Sequence, residues 1–517
     1  MYKVGIDVGG TNTDAIILDE GLNLIHQVKM PTSEDIESGI VSSLKRVLKE
    51  AGIDRKKVTH AMLGTTQCTN AIVERKKLAK VGVIRLGYPA TASVLPYTAW
   101  PKEMVSALTG EYRLAGGGYE YDGQVLSSFS EEEIRSILKE WKGKVEATAV
   151  VGVFSSLKND QELRVADLVV EVMGEETPVS CSSLIGSVGL IERENATILN
   201  SALFKVIAAT SNGFENALRE EGITDAQVFL CQNDGTLMSI EYARKFPILT
   251  IACGPTNSIR GASYLAGIKD AMVLDVGGTT SDIGVLTAGF PRESALAVDV
   301  GGVRTNFRMP DIVSIGLGGG SIVRNVNNEV TIGPDSVGYR ITEEALVFGG
   351  ETLTTTDIAV RLGVAEIGNP ELVKHIDEEF AQQAYAKIAA MTEEAIDKMK
   401  TSNNDDATVV LVGGGSIIIP RQLKGVKEII HNENGAVANA IGASISQISG
   451  QYEQIYIYSQ TPRDEARKDA EERAKQQAIL AGAKVETIEL VEIEEIPLAY
   501  HPGNATRLRV KVVGELT

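Results

Sequence analysis

Apolar and polar positions follow two rhythms along this chain, and the rhythms mark out its elements. Short apolar or β-branched runs predict strands at Tyr2 to Ile6, Ala15 to Leu18, Lys80 to Leu86, Thr148 to Phe154, Pro178 to Ser182, Val228 to Cys231, Ala271 to Leu274 and Ala407 to Val412. Helical spacing links Ile36, Ile40, Leu44, Val47 and Leu48. It also links Ile376, Phe380, Ala384, Ile388, Met391, Ala395 and Met399, whose intervals of three and four turn one face into a core. An acidic-capped helix from about Ser130, a second ending at Val172 and a third from Glu192 to about Leu218 fill the gaps. Strands and helices thus alternate as βα units, which predicts an α/β fold. Beyond Gly450 the pattern reads as strand (Ile455 to Tyr458), charged helix (Pro462 to Ala481) and two strands (near Val485 to Ile496 and Arg507 to Val513), a small βαββ module. Its acidic residues Glu489, Glu492, Glu494 and Glu495 read as a solvated face.

One motif occurs twice. Asp7-Val-Gly-Gly-Thr-Asn-Thr-Asp14 follows the first strand, and Asp275-Val-Gly-Gly-Thr-Thr-Ser-Asp282 follows Ala271 to Leu274. Each copy reads as strand, tight turn, strand, the signature of a β-hairpin. Gly9, Gly10, Gly277 and Gly278 would let the backbone approach a phosphate, while Thr11, Asn12, Thr13, Thr279, Thr280 and Ser281 would add hydroxyl and amide groups to the cradle. Asp7 and Asp275 end their strands where a carboxylate orients the water of a hydrated Mg2+. A third cluster, Gly413, Gly414, Gly415 and Ser416, ends the run Ala407 to Val412 and would bound an adenosine. Two further segments, from Gly254 through Gly261-Ala-Ser and from Ala436 through Gly442-Ala-Ser, have the small residues that let two helices cross closely.

Two hairpins, a late glycine loop and two small-residue helices in this order resemble the superfamily of actin, Hsp70 and the sugar kinases. Within it, the chain is similar to the hydantoinase/oxoprolinase A subunits. The segments that carry this resemblance are Gly64-Thr-Thr-Gln-Cys-Thr-Asn-Ala-Ile-Val-Glu-Arg75, Phe154 to Arg164, Glu192 to Asn200, Asn233 to Met238, Gly254-Pro-Thr, Ile332 to Gly338 and Thr354-Thr-Thr-Asp357. They run from about residue 2 to about residue 445. The resemblance implies duplicated actin-like ATPase (ribonuclease H-like) lobes, at residues 1–268 and 269–450. An inserted α/β region would occupy about 88–185, and the βαββ module 451–517. It also implies ATP and Mg2+, a small cyclic amide as substrate, a B-type subunit as possible partner, and homo- or hetero-oligomers.

Asp14, Asp282 and Asp357 each follow Thr or Ser in these motifs and are the candidate general bases; capping a turn is the commoner role of such an Asp. A carboxylase ATPase subunit, a small-molecule kinase and a non-catalytic reactivating ATPase remain alternatives. Two departures bear on the substrate. The family's Ser-Gly-Pro-Ala-Gly-Gly is Cys253-Gly-Pro-Thr-Asn-Ser258 here, and its proline-rich stretch is replaced by Tyr339-Arg-Ile-Thr-Glu-Glu344.

Composition narrows the classes further. A chain of 517 residues exceeds one core, and a net charge of −19 argues against nucleic-acid or membrane surfaces. With no basic leader followed by an apolar run, and no apolar stretch of membrane-spanning length, a cytoplasmic protein is expected. Cys68, Cys181, Cys231 and Cys253 are far apart, which argues against a disulfide framework or a Cys-rich zinc site. His60 reads first as a satisfied core histidine and second as a ligand. Neither His-Glu-x-x-His nor a P-loop motif is present.

Overall fold

Both copies of the repeated motif form antiparallel hairpins, and each hairpin sits at one side of its own sheet. The computed structural model describes residues 1–9, 12–31, 36–186, 188–294, 297–327, 329–400, 406–432, 434–445, 447–498 and 503–517. The first sheet has nine strands, ordered Glu489–Pro497, Ala505–Gly514, Ile448–Ile457, Leu237–Ser239, Gln227–Cys231, Val58–Thr65, Tyr2–Val8, Asn12–Asp19 and Leu24–Pro31. At its centre Tyr2–Val8, Val58–Thr65 and Gln227–Cys231 run parallel. Parallel strands are covered on both faces, which is why Val4, Ile6 and Val8 read as apolar and are fully buried.

The second sheet orders Phe290–Pro291, Ser281–Thr287, Ala271–Val276, Ala407–Val412 and Val426–His431, with Ile312–Ile315 also paired to Ser281–Thr287. A separate, all-parallel sheet orders Glu111–Ala115, Val81–Leu86, Ala147–Gly152 and Val179–Cys181, and its strand Val81–Leu86 precedes the residue at about 88 where the inserted region was expected to begin. The helices Glu131–Trp141 and Asp160–Met173 cover it, burying Ile134, Leu138, Trp141, Val165 and Leu168 against Ile84 and Leu86. Ser130 caps the first of them by accepting from the Glu133 N–H.

The helix expected from Glu192 to Leu218 is two, Leu190–Ala202 and Phe204–Glu220. The first is buried on nearly all sides, so no apolar stripe marks its end. Its charges are paired internally: the Arg85 guanidinium forms a fully buried fork with Glu194 at 2.6 Å.

The βαββ order beyond residue 450 is present, and its strands extend the first sheet. Ile448 pairs in parallel with Leu237, and Ile448–Ile457 pairs antiparallel with Ala505–Gly514. The helix Arg463–Leu480 can approach because its stripe Ala466, Ala470, Ala474 and Ala478 meets a glycine: a Cβ on Gly450 would lie 2.1 Å from the Ala474 carbonyl. The acidic strand is only partly solvated, since Glu495 accepts from Tyr458 Oη at 2.9 Å and from Arg463 Nε at 2.8 Å. The chain therefore runs through the first sheet, then the second, then back to the first.

The helices Cys253–Ala266 and Ala438–Ile445 join the two halves. A Cβ on Gly442 would lie 1.8 Å from the Asn257 carbonyl oxygen, and one on Gly261 would lie 1.9 Å from that of Ala438. Only glycine permits this approach. Their packing is exchanged between the sheets. Ile259 and Ala262 of the earlier helix bury against Val273, Leu286 and Val410 of the second sheet. Ala440 and Ile441 of the later helix bury against Ile16 and Leu18 of the first.

Candidate functional site

The two hairpins have the same register. Asp7 lies opposite Asp14 and Asp275 opposite Asp282, and the turns close with matching bonds, Gly9 N–H to Asn12 O at 3.0 Å and Gly277 N–H to Thr280 O at 2.9 Å. Residues directly opposed in an antiparallel pair share a face, so each hairpin presents two carboxylates together. Gly10 and Thr11 lie outside the described residues.

The two pairs feel each other across the junction. Burial, and after it the neighbouring charge of Asp14, push Asp7 up to about 7, with Asp275 adding to the repulsion. Burial also raises Asp275, against the Ser258 hydroxyl and the Lys29 charge. The exchanged helices supply the polar groups between them. Asn257 Nδ2 donates to Asp7 Oδ1 at 3.3 Å and Asn439 Nδ2 donates to Asp7 Oδ2 at 3.4 Å. Ser258 Oγ donates to Asp275 and lies against the Asn439 amide. None of these three was a sequence candidate, yet Asn257 and Ser258 are the residues at which the family's Gly-Gly is replaced.

The outer carboxylates differ. Asp14 forms an ion pair with Lys29 at 3.0 Å, and Lys29 also donates to the Ala436 carbonyl at 3.0 Å. Burial outweighs this pairing and still raises Asp14. Among the described residues Asp282 accepts from the neutral Ser314 hydroxyl alone, and burial together with Asp275 pushes it up to about 6.

Three glycine segments enclose the turns. Gly319 N–H donates to Gly277 O at 3.0 Å, Gly320 N–H to Gly278 O at 2.7 Å and Gly415 N–H to Val276 O at 2.7 Å. Gly413 has φ +89°, and a Cβ there would sit 2.3 Å from Asp275 Oδ1. The Gly413 to Ser416 cluster is thus packed on the second hairpin, with open space above Gly414. On the first hairpin a Cβ at Gly64 would lie 2.2 Å from Asp7 Oδ1, which brings the Gly64-Thr65-Thr66 segment against that carboxylate. Asn12, Thr279 and Thr280 retain exposure, whereas Thr13 is buried. The Ser281 hydroxyl is turned to the Leu317 carbonyl at 2.6 Å and braces the Gly318–Gly320 loop.

Asp357 does not join this cluster. It is fully buried and closes a capping box on the helix Thr355–Arg361, accepting from Thr354 N–H at 2.7 Å, Thr354 Oγ1 at 2.8 Å and Val347 N–H at 2.7 Å. With three donors taken, it acts as an anchor. Thr355 and Thr356 of the same helix donate to the Gly319 carbonyl at 2.9 and 2.7 Å, so this motif holds the glycine loop in place. The Thr-x-x-Asp spacing is itself a capping-box signal. His60 is satisfied by Thr59 at 2.9 Å and by the Thr517 carbonyl at 3.2 Å. The four cysteines are free and buried. Among the described residues, no helix is long and apolar enough to cross a membrane.

Known proteins share this architecture. The model of the hydantoinase/oxoprolinase N-terminal region matches residues 3–173, and that of hydantoinase/oxoprolinase matches residues 193–366. The acetone carboxylase beta subunit of Xanthobacter autotrophicus is 28% identical over 399 residues, covering 70% of this chain and 54% of that one. The caprolactamase subunit alpha of Pseudomonas jessenii is 25% identical over 387 residues, again covering 70% and 54%. The chain therefore spans about half the length of these relatives. The crystal structure of the ATP-dependent caprolactamase from Pseudomonas jessenii aligns with a TM-score of 0.81 at 19% identity, over 100% of this chain and 88% of that one. The α/β fold class expected from the sequence is the one observed, with the repeated hairpin in each of two sheets, and the chain belongs to the hydantoinase/oxoprolinase family.

Proposed function

We propose that this chain uses ATP to activate a cyclic amide of the hydantoin, 5-oxoproline or lactam type for ring opening. The observation that carries this reading is the pair of hairpins in identical register, whose carboxylates meet between two exchanged helices. Resonance makes the ring carbonyl a poor electrophile. Transfer of the γ-phosphoryl group to the amide oxygen breaks its bond to ADP and leaves a carbon that water can attack; the C–N bond then breaks as the ring nitrogen takes a proton, and a second water hydrolyses the resulting acyl phosphate to carboxylate and phosphate. Such transfer asks the protein chiefly for positioning and charge neutralisation.

Asn12, Thr279 and Thr280, with the turn glycines, are the groups we assign to the phosphates, and Gly413 to Ser416 to the adenosine. Asp282 is the favoured general base. Its carboxyl is pushed up to about 6 and pairs with no cation among the described residues, whereas Asp14 is tied to Lys29. Asp7 and Asp14 are buried, and the Asp275 charge raises Asp7, Asp14 and Asp282; a divalent cation would relieve that repulsion, and Asp7 and Asp275 would hold Mg2+ to neutralise phosphate charge. A Mg2+ held by these two carboxylates would keep several of its waters.

A carboxylase-type role is the second reading, because the acetone carboxylase beta subunit is as similar as the caprolactamase subunit. Both relatives are named as subunits, and a B-type partner that completes the reaction belongs to either reading. The deciding experiment measures ATP consumption by the full chain with hydantoins, 5-oxoproline, lactams, and simple ketones plus bicarbonate. Stimulation by a cyclic amide supports the first reading, and stimulation by a ketone replaces it with the second. A melting temperature unchanged by millimolar Mg2+-ATP would refute nucleotide use altogether.

A further inference from the structure

A cavity of about 130 Å3 lies between the Gln232–Gly235 turn of the first sheet, the Ser183–Gly186 end of the inserted region, the Asn306–Arg308 segment and the Ser449–Glu453 strand. That is roughly four times the ~30 Å3 share of a water molecule, enough for a small ring. Phe246, Leu249 and Phe307 give it an apolar wall.

Its charged groups are almost fully accounted for. Asp234 takes Lys511 Nζ at 3.0 Å, Ser449 Oγ at 2.9 Å and Gln451 Nε2 at 3.1 Å. Glu293 takes Lys511 Nζ at 3.3 Å together with Arg509, and it faces Arg308 Nε at 4.0 Å. Among the described residues, three buried atoms of its lining have no hydrogen-bond partner: Ser183 Oγ, the donor Arg308 Nη1 and the acceptor Glu453 Oε1. The latter two side chains are close enough for the Glu453 charge to act on the Arg308 guanidinium, yet they do not bond each other. An unpaired buried donor beside an unpaired buried acceptor is costly unless something completes both.

We propose that this cavity is the cyclic-amide subsite, with Arg308 donating to the ring carbonyl and Glu453 accepting the ring N–H. The chemistry is selective. A ring of five to seven members forces its amide to be cis, which puts C=O and N–H side by side, where one donor and one acceptor can take both. An open-chain secondary amide is trans and presents them on opposite sides. A ketone offers no N–H. The cavity is also tied to the carboxylate cluster. Thr256 donates to the Gln232 carbonyl at 3.4 Å, and the next residue, Asn257, donates to Asp7. This assignment rests on the cyclic-amide reading above and names the side chains that would enforce it.

Calorimetric titration of the full chain tests it, with 2-pyrrolidinone, 2-piperidinone, caprolactam and hydantoin as probes and N-methylacetamide and cyclopentanone as matched controls, with and without Mg2+-ATP. At least one cyclic amide is expected to bind saturably, about tenfold or more tighter than either control. Arg308→Met and Glu453→Met should each weaken that binding by about tenfold, whereas Glu453→Gln, which keeps an acceptor oxygen, should stay within about threefold. The melting shift produced by Mg2+-ATP should survive in all three variants, which shows them folded and separates this subsite from nucleotide binding. The proposal is overturned if no cyclic amide binds the wild-type chain in either condition, if the controls bind equally well, or if both Met variants bind like wild type. Loss of the Mg2+-ATP shift in the wild-type chain would instead count against the nucleotide reading.

Discussion

The two hairpins share a sequence motif, a strand register and a turn bond, yet they hold their outer carboxylates differently. Asp14 is balanced by Lys29, a charge from the third strand of its own sheet. Among the described residues Asp282 is balanced by the Ser314 hydroxyl alone. The second turn is gripped by the backbone of Gly319, Gly320 and Gly415, while the first relies on Gly64 and on Asn257 and Asn439 from the joining helices. Duplication thus preserved the frame and let the electrostatics diverge, leaving one carboxylate tied to a cation and the other free to exchange a proton near neutrality.

The sharpest way to break this comparison is to exchange the roles. Asp282→Asn should lower turnover by about 10²–10⁴-fold, the usual worth of a positioned base. It should also abolish an acid limb centred near pH 6, because Asp282 must be ionised to act and protonates as pH falls through about 6. Asp14→Asn should be milder and leave that limb in place. A pH–rate profile of both variants decides, and an unchanged limb in Asp282→Asn would reverse the assignment.

Next in size is the joining crossing. Because a Cβ at Gly442 meets the Asn257 backbone, Gly442→Leu should cost about 1–3 kcal/mol or more and weaken nucleotide binding at the same time. A variant as stable as wild type would contradict the crossing itself.

Asp7→Asn should act in the opposite direction on stability. Asp7 keeps its proton in the folded, ligand-free protein up to about 7 but loses it near 3.8 when unfolded. The folded state therefore binds more protons across that window, and stability falls as pH rises through it. Removing the charge should stabilise the ligand-free chain at pH 8 by on the order of 2 kcal/mol while abolishing Mg2+-dependent turnover. Thermal melts at pH 5 and pH 8 should show a larger gain at the higher pH, because pH 5 lies within the window and only part of the penalty has accrued there. The smallest effect is expected for Lys29→Met, worth no more than about 1 kcal/mol of stability because the pair is partly solvated.

Much of this was legible in the sequence. The hairpins follow from glycine pairs between β-branched runs, and the C-terminal βαββ order from its alternation and its alanine stripe. What periodicity does not encode is long-range address. Asn439 is 432 residues from Asp7 and Asn257 is 250 away, and a small-residue run announces close packing without saying which polar side chain will point between the lobes. The helix break at Leu203 was hidden because a helix buried on every side has no stripe to interrupt. Asp357 was misleading for a different reason: a capping box and a catalytic carboxylate can be written with the same letters, and only the three donors around it tell them apart. The substitution of Asn257 and Ser258 for glycines was visible, but its meaning depends on the carboxylates opposite.

The return of the chain from the second sheet to the first bears on mechanics. A body held by a single strand can swivel in any direction, whereas one held by two neighbouring strands turns about the line through them. Here the chain crosses once after the helix Cys253–Ala266 and again after Ala438–Ile445, beside that same glycine contact. The covalent path therefore favours a door over a ball joint, and on the proposed function opening and closing would be one coordinate for a bound nucleotide to drive.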